Sequence, residues 1–481
     1  MRVTGKISAD VLESYGPADR TRADALLQKE VAENRRKIIV LDDDPTGVQT
    51  VHDISVYTSW DRESIREGFA ETNSLFYVLT NSRGLTEAQT TKVHQDIAHT
   101  VAEVSKETGQ DFLIISRSDS TLRGHYPLET ELLKKGIEAE TGISIDGEVL
   151  CPFFREGGRF TIGNVHYVKY GDELWPAGET EFAKDRTFGY RSSDLCDYVE
   201  EKTGGAYPAS SVTCISLEEL RAFQLDEIEQ KLEAVKDFNK VVVNAIDMAD
   251  VKVFCTALYR ALKKGKHFMF RTAAAFVKEM GGISEQPLLT REQMIQKETK
   301  NGGVIVVGSH TEKTTRQLEQ LKTLDGIVPI EFDSDLVLDD AKFREETRRV
   351  TKAIEEVILS GKTAVAYTRR RLLTIPNDTK EAALVRSVKI SDAVQSLVGN
   401  LEAEPAFVIA KGGITSSDVG TKALRVKRAS VMGQIKPGIP VWQTGEESRF
   451  PRTPYVIFPG NVGEDGTLKE AAEVLMGRDP A

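Results

Sequence analysis

The run Lys37-Ile38-Ile39-Val40-Leu41 ends abruptly in Asp42-Asp43-Asp44-Pro45-Thr46-Gly47, and its reading decides the fold. Four consecutive apolar residues, three of them β-branched, predict a strand buried on both faces of a parallel sheet. Pro45 and Gly47 stop it. Three carboxylates at the carboxyl end of such a strand stand where open α/β sheets bind ligands. Like charges crowded in this way repel one another, so a cation, a metal or a bound proton must compensate them. The stretch reads as a working site rather than a solvated acidic turn.

Outward from this strand, strand-like and helix-like segments alternate. Ser74-Leu75-Phe76-Tyr77-Val78-Leu79 leads through a turn into a helix opening at Thr86. Gln89 follows three residues on, a capping-box pattern, and Val93, Ile97, Val101 and Val104 share one helical face. Further strands are predicted at 112–115 and 241–243, and the less regular 151–205 stretch predicts an excursion with hairpins. The segment 281–303 has weak apolar periodicity and glycine pairs at both ends, and reads as a connection. A second alternating set follows at 304–307, 363–367, 407–410 and 455–458. Alternation of this kind predicts an α/β protein of two lobes, 1–290 and 291–481. Each is expected to hold a mostly parallel sheet flanked by helices, with the active site in the cleft between them.

Bulk properties narrow the class. A chain of 481 residues is too long for one ordinary core. It is 40% hydrophobic and 28% charged, as soluble globular proteins are. Lys+Arg 63 against Asp+Glu 74 leaves a net charge of −11, so no broad basic field is available for nucleic acid. Cys151, Cys196, Cys214 and Cys255 form no CxxC pair and read as free thiols of a reducing compartment. No apolar run approaches the ~18 residues of a membrane span, and the charges at Arg2, Lys6 and Asp10 do not suit a signal peptide. The expectation is a cytoplasmic protein.

Chemistry gathers at strand ends. The strand at 112–115 runs into Ser116-Arg117-Ser118-Asp119-Ser120-Thr121-Leu122-Arg123-Gly124-His125, a dense mixture of hydroxyls, guanidinium groups, a carboxylate and an imidazole. Arg117 or Arg123 has the planar fork that grips a carboxylate bidentately, and Asp119 suits orientation of that arginine or contact with substrate hydroxyls. Asn81-Ser82-Arg83-Gly84 holds the equivalent place after the 74–79 strand, and Arg155 and Arg159 add cations. Together they suit a polyhydroxylated anionic small molecule. The second half offers Gly308-Ser309-His310-Thr311, Lys411-Gly412-Gly413-Ile414-Thr415-Ser416-Ser417-Asp418 and Pro459-Gly460-Asn461-Val462-Gly463, each after a buried strand. Small residues let backbone N–H groups approach an anion, and helix N-termini favour negative charge, so these turns suggest a phosphate cradle. Ser360-Gly361-Lys362-Thr363 is not a P-loop, because Glu356 stands where glycine is needed and a strand follows. The seven histidines lack zinc spacing, and no metal site is expected.

With these residues in view, the chain resembles the four-carbon acid-sugar kinase family, whose members pair an N-terminal sugar-binding domain with a C-terminal nucleotide-binding domain. The likeness is strongest at Asp43-Asp44-Pro45-Thr46-Gly47 and Asp119-Ser120-Thr121-Leu122-Arg123-Gly124, and continues through Gly158-Arg159 and Phe182-Ala183-Lys184-Asp185. Gly308-Ser309, Gly412-Gly413-Ile414-Thr415 and Gly460-Asn461-Val462-Gly463 look like three nucleotide-binding turns. The resemblance implies ATP-dependent phosphorylation of a tetronate or 3-oxo-tetronate at its terminal hydroxyl, with Mg²⁺ carried by the nucleotide. Asp43, Asp44 and Asp119 would be catalytic; Arg83, Ser120, Arg123, His125 and Arg159 would bind substrate. Ser309, Gly412, Gly413, Ile414, Thr415, Gly460, Asn461 and Gly463 would surround ATP. The family usually has Asp or Glu at Ile414, and Lys-Ser where this chain has Phe458-Pro459; Lys411 or Lys436 would then replace the missing charge. A sugar acid and ATP are the expected partners, with a homodimer left open, and nucleic acid and membrane are not expected.

Two other readings exist. Asp42-Asp43-Asp44-Pro45-Thr46 fits the DxDxT pattern of haloacid-dehalogenase-type phosphatases, with Asp42 as nucleophile and Asp44 as acid/base. A sugar-acid-binding homologue without kinase activity is the third, suggested by Ile414 and Phe458.

Overall fold

Ile38, Ile39, Val40 and Leu41 are almost wholly removed from solvent, in a strand (Lys37–Asp42) flanked by parallel neighbours on both sides. Burying four such side chains contributes about 1.5–3 kcal/mol each, which explains why an uninterrupted apolar run sits here. The structure, a computed structural model, describes residues 5–371, 373, 375, 378–460 and 462–478, without the side chains of 380, 381 and 384. Two compact units emerge: residues 1–47 with 59–285, and residues 48–58 with 286–481.

In the first unit seven parallel strands lie in the order Thr213–Ile215, Asn239–Val243, Gly147–Cys151, Phe268–Thr272, Phe112–Arg117, Lys37–Asp42 and Leu75–Leu79. From Lys37–Asp42 the chain first adds Leu75–Leu79 on one side and then returns to add Phe112–Arg117 on the other. That reversal is the topological switch point, and ligands bind outside the carboxyl ends of strands at such points. The helix Glu87–Thr108 carries the expected Thr86/Gln89 capping box and ends at Gly109. Ile97, Val101 and Val104 are its buried face. The irregular stretch after Cys151 forms a small antiparallel sheet of Arg159–Ile162, Val165–Tyr170 and Glu173–Pro176, completed by Ile7–Ser8. Cys196 and Cys214, which are free thiols, meet here with sulfurs 3.4 Å apart.

In the second unit five strands are mutually parallel, in the order Pro454–Phe458, Val408–Lys411, Val304–Val307, Thr363–Thr368 and Ile327–Phe332. Antiparallel strands Ile439–Thr444, Arg428–Lys436 and Ile54–Tyr57 extend it beyond Pro454–Phe458. Pairing with Arg428–Lys436 is what draws Ile54–Tyr57 away from its sequence neighbours into this unit. The helices Glu312–Leu321 and Thr467–Met476 press Leu318, Leu321, Leu468 and Leu475 into the core with Ile305, Ile409 and Val456. Among the described residues, no helix is long and apolar enough to cross a membrane.

Candidate functional site

Strand register builds the first site. Asp42 lies opposite Arg117 on one neighbouring strand, and Arg117 opposite Thr272 on the next, so the carboxyl ends form one row. Arg117 Nη1 donates to Asp42 Oδ1 at 3.0 Å and Asp43 Oδ1 at 3.3 Å. Arg83 spans the outer carboxylates, 2.5 Å from Asp44 Oδ2, 3.3 Å from Asp119 Oδ1 and 3.8 Å from Asp43 Oδ1. The Asp119 backbone N–H donates to Asp43 Oδ2 at 3.3 Å. Two arginines therefore supply the compensation that the Asp42-Asp43-Asp44 run demands. Gly47 is required beneath it: a Cβ there would stand 2.0 Å from Asp42 Oδ1.

The four carboxyl groups separate electrostatically. Burial, opposed by Arg117, pushes Asp42 up to about 7. Burial also raises Asp43, against Arg83 and Arg117. Burial acts on Asp44 in the same sense, but Arg83 and the hydrogen bonds from Thr46 outweigh it, leaving the group below its ordinary value. At Asp119 burial is overcome more strongly by Arg123 and Arg83, which hold it well below the usual carboxylate range. The inner pair is thus pushed toward the neutral form while the outer pair stays ionised. Asp42, 1% exposed and enclosed by Arg117 and Gly47, presents no oxygen to an incoming phosphoryl group, which a phosphatase nucleophile would have to do.

Around this cluster lie the remaining sequence candidates. Arg123 Nε donates to Asp119 Oδ2 at 2.7 Å, its Nη1 stands 3.9 Å from Asp185 Oδ2, and its guanidinium sits 5.1 Å from the Phe182 ring centre. Arg159 packs against the same ring at 5.6 Å. Unlike the others it has no ion pair among the described residues, and its buried Nε lacks any acceptor. Burial lowers its affinity for a proton, Asp119 opposes that, and neighbouring Arg123 adds to it. His125 donates from Nε2 to the Leu85 carbonyl, 3.0 Å away, and meets Phe188 edge-on. Ser120 is buried, and its carbonyl oxygen lies 2.7 Å from His166 Nε2. Arg271 Nη2 donates to the Arg123 carbonyl at 2.7 Å, holding the turn from beneath.

In the second unit, Val307, Lys411 and Phe458 lie side by side in register, so the turns that follow them are adjacent. Ser309 Oγ accepts from Thr314 Oγ1 at 3.2 Å, and Thr314 Oγ1 also reaches the Gly460 carbonyl at 3.5 Å. Thr311 caps the helix Glu312–Leu321 by accepting from the Thr314 N–H. The helix Gly413–Asp418 opens directly after Gly412, leaving first-turn N–H groups available. A Cβ at Gly308 would lie 2.3 Å from Thr415 Oγ1, whereas at Gly460 the nearest atom is Ser309 Oγ at 4.0 Å. One turn is thus closely packed and the other has ordinary van der Waals room beside Ser309, and small residues of this kind let backbone N–H groups approach an anion. Gly412 holds φ +119° and ψ 145°, where only glycine is comfortable. Gly412→Ala is expected to destabilise the protein by about 1–3 kcal/mol and to weaken polyphosphate binding. Urea unfolding checks this, and an unchanged midpoint would remove the idea that the turn is conformationally constrained.

The structure thus brings Asp43, Asp44, Asp119, Arg83, Arg123 and Arg159 into one neighbourhood, and Ser309, Gly412, Thr415 and Gly460 into another. Ile414 points outward, 72% exposed. Gly463 lies at the turn before the helix Thr467–Met476, close to Thr467. Asn461 lies outside the described residues. Arg117, offered by the sequence as a ligand arginine, is instead consumed by Asp42 and Asp43. Lys436 pairs with Glu470 at 2.8 Å, whereas Lys411 Nζ donates to the Pro459 and Gly460 carbonyls at 2.5 and 3.3 Å. Thr311, Thr314 and Phe182 were not singled out as site residues; the Ser309-x-Thr311-x-x-Thr314 spacing, a cap reaching one helical turn on, was the available signal for two of them.

Among the described residues no group of three or more His, Cys, Asp or Glu is arranged to hold a metal ion. No curated protein sequence matches the chain. Among the solved chains that match are two that share its fold. One is a Haemophilus influenzae protein of the DUF1537 family, 16% identical, covering 91% of this chain and 100% of its own, with a TM-score of 0.58. The other is a Salmonella typhimurium LT2 protein provisionally named a tRNA synthase, 16% identical, covering 90% and 98%, with a TM-score of 0.61. At such identities the likeness speaks for the fold alone. The sugar-binding N-terminal domain family matches residues 38–280, and the nucleotide-binding C-terminal domain family matches residues 304–468. The carboxylate and arginine cluster falls within the first match and the glycine turns within the second, and the chain belongs to the four-carbon acid-sugar kinase family.

Proposed function

We propose that this protein is an ATP-dependent kinase that phosphorylates a four-carbon sugar acid, a tetronate or 3-oxo-tetronate, at its terminal hydroxyl. The observation that carries the reading is Arg159, a half-buried guanidinium whose buried Nε lacks an acceptor and which has no ion pair among the described residues, beside the carboxylate cluster of a sugar-binding domain. A buried unpaired charge is costly, and a substrate carboxylate relieves that cost. Arg159 with Arg123 takes the carboxylate; Ser120 and His125 lie nearby for the polyol. Asp44, held ionised by Arg83 and more exposed than Asp43, accepts the proton of the attacking hydroxyl, and Asp43 and Asp119 fix its position. Ser309, Gly412, Gly413, Thr415 and Gly460 receive the phosphates of ATP through backbone N–H and hydroxyl groups.

Phosphoryl transfer relies on positioning and charge stabilisation rather than on covalent chemistry from the protein. Mg²⁺ arrives bound to the nucleotide and supplies neutralisation of the phosphate oxygens. The protein's own share is to hold the hydroxyl in line and to keep water from accepting the phosphoryl group.

The test is ADP formation by purified full-length protein against a panel of C4 sugar acids. Turnover is expected with one acid and its close stereochemical relatives. Folded protein that binds ATP yet turns over none of them would overturn the substrate class. Folded protein that binds the acids but no nucleotide would reveal a sensor instead.

A further inference from the structure

Lys411 ends the strand Val408–Lys411 and is wholly buried, 0% exposed. Its ammonium reaches two acceptors, the carbonyl oxygens of Pro459 (2.5 Å) and Gly460 (3.3 Å), and lies 4.2 Å from the centre of the Phe458 ring. No carboxylate pairs with it among the described residues. The charged group that bears on it is another cation, Lys313, in the first turn of the helix Glu312–Leu321. Among the described residues the other lysine at 0% exposure, Lys240, sits 2.6 Å from Glu148, whereas Lys37, 4% exposed, donates to two carbonyl oxygens. Carbonyl dipoles and a ring face favour the charged form, while burial and Lys313 oppose it. A buried cation that has no carboxylate, holds the Pro459–Gly460 turn and feels a second cation describes a site completed by an anion.

We propose that Lys411 is the positioning residue that links nucleotide binding to proton uptake: it becomes fully charged as a polyphosphate settles over the Ser309, Gly412 and Gly460 turns, and in that state fixes the Pro459–Gly460 turn. This rests on the reading of the second unit as the one that takes ATP. The balance of forces supports the titration, since burial and then Lys313 bring the free ammonium down to about 7. A phosphate nearby raises it, so one proton is taken up wherever the pH lies between the free and the liganded values. Below the free value the ammonium is already charged, and uptake vanishes. His310, lowered by burial and by Arg370, belongs to the neighbouring turn and titrates on the acid side. Its contribution is therefore confined to lower pH.

Isothermal titration of full-length protein with Mg·ATP, in buffers of different ionisation enthalpy, reads the proton count directly. Wild type is expected to take up a proton approaching one at about pH 8 and little at about pH 6. Lys411→Met should lose the uptake at about pH 8 and bind about tenfold or more weakly. Lys411→Arg, which stays charged, should bind without uptake. ATP binding by wild type with no uptake at about pH 8 would make Lys411 a fixed strut and overturn the proposal, as would equal uptake in Lys411→Met. The wild-type measurement decides the matter even where a variant does not fold. Absence of ATP binding to folded wild type would instead remove the nucleotide assignment of the second unit, and Lys411's role with it.

Discussion

Arg83→Met should lose about 3–5 kcal/mol of folding stability at neutral pH, the scale expected when one side of a buried ion-pair network is removed. Arg83 faces Asp43, Asp44 and Asp119 together, and no other cation touches Asp44 directly among the described residues. Its loss leaves half-buried Asp44 without a counter-charge among the described residues and weakens the compensation of Asp43 and Asp119. The pH dependence has a definite sign. In wild type, Asp44 and Asp119 lie below their ordinary values, so the stability they contribute is full above about pH 4 and is lost as pH falls through their depressed values. In the variant, burial acts on Asp44 without Arg83, its value rises, and stability falls as pH rises through the range above about pH 4. The difference between the two proteins should therefore be smaller at about pH 5 than at about pH 8. Urea unfolding at those two conditions measures it, and a pH-independent difference would exclude this account of the cluster.

Arg159→Met is expected to do the opposite to the fold while damaging function as severely. Removing a half-buried guanidinium that has no ion pair among the described residues leaves no orphaned partner, so stability should hold or rise by about 1 kcal/mol. The substrate carboxylate would lose its cation, and truncating one side of a buried charge pair typically costs about 2–5 kcal/mol of binding. The expected result is a fall of about a hundredfold or more in kcat/KM for the sugar acid, with KM for ATP little changed. Arg159→Lys should recover only part of it, because an ammonium keeps the charge but not the planar fork. Steady-state kinetics beside a thermal melt separate the two effects. A variant that unfolds readily yet retains KM for the acid would show Arg159 to be structural.

Much of the site was visible as local pattern. The apolar run 37–41, the acidic break after it, the dense polar stretch 116–125 and the glycine turns at 308, 412 and 460 each announce a strand end carrying chemistry, because strand period and turn chemistry are short-range properties. What they could not announce is competition among the arginines. Arg83, Arg117, Arg123 and Arg159 look alike in sequence. Only the pairing of Asp42 opposite Arg117, across 75 residues, spends Arg117 inside the cluster. Only the placement of Asp119 and Asp185 against Arg123, while both arginines pack on Phe182, leaves Arg159 without an ion pair among the described residues.

The primary structure alone determined that this is an α/β protein with an acidic, arginine-rich first half and glycine-turned strands in the second, because hydrophobic periodicity and breaker residues act within a few positions of themselves. Tertiary structure alone decided which strands are neighbours: that Ile54–Tyr57 joins Arg428–Lys436, that Val307, Lys411 and Phe458 stand abreast, and that Lys411 rather than Lys436 is left without a carboxylate. A buried strand carries the same unsatisfied hydrogen-bonding edges whichever partner it finds, so its sequence states that it will be paired but not with what. The charges at its end acquire their roles only once that choice has set the distances between them.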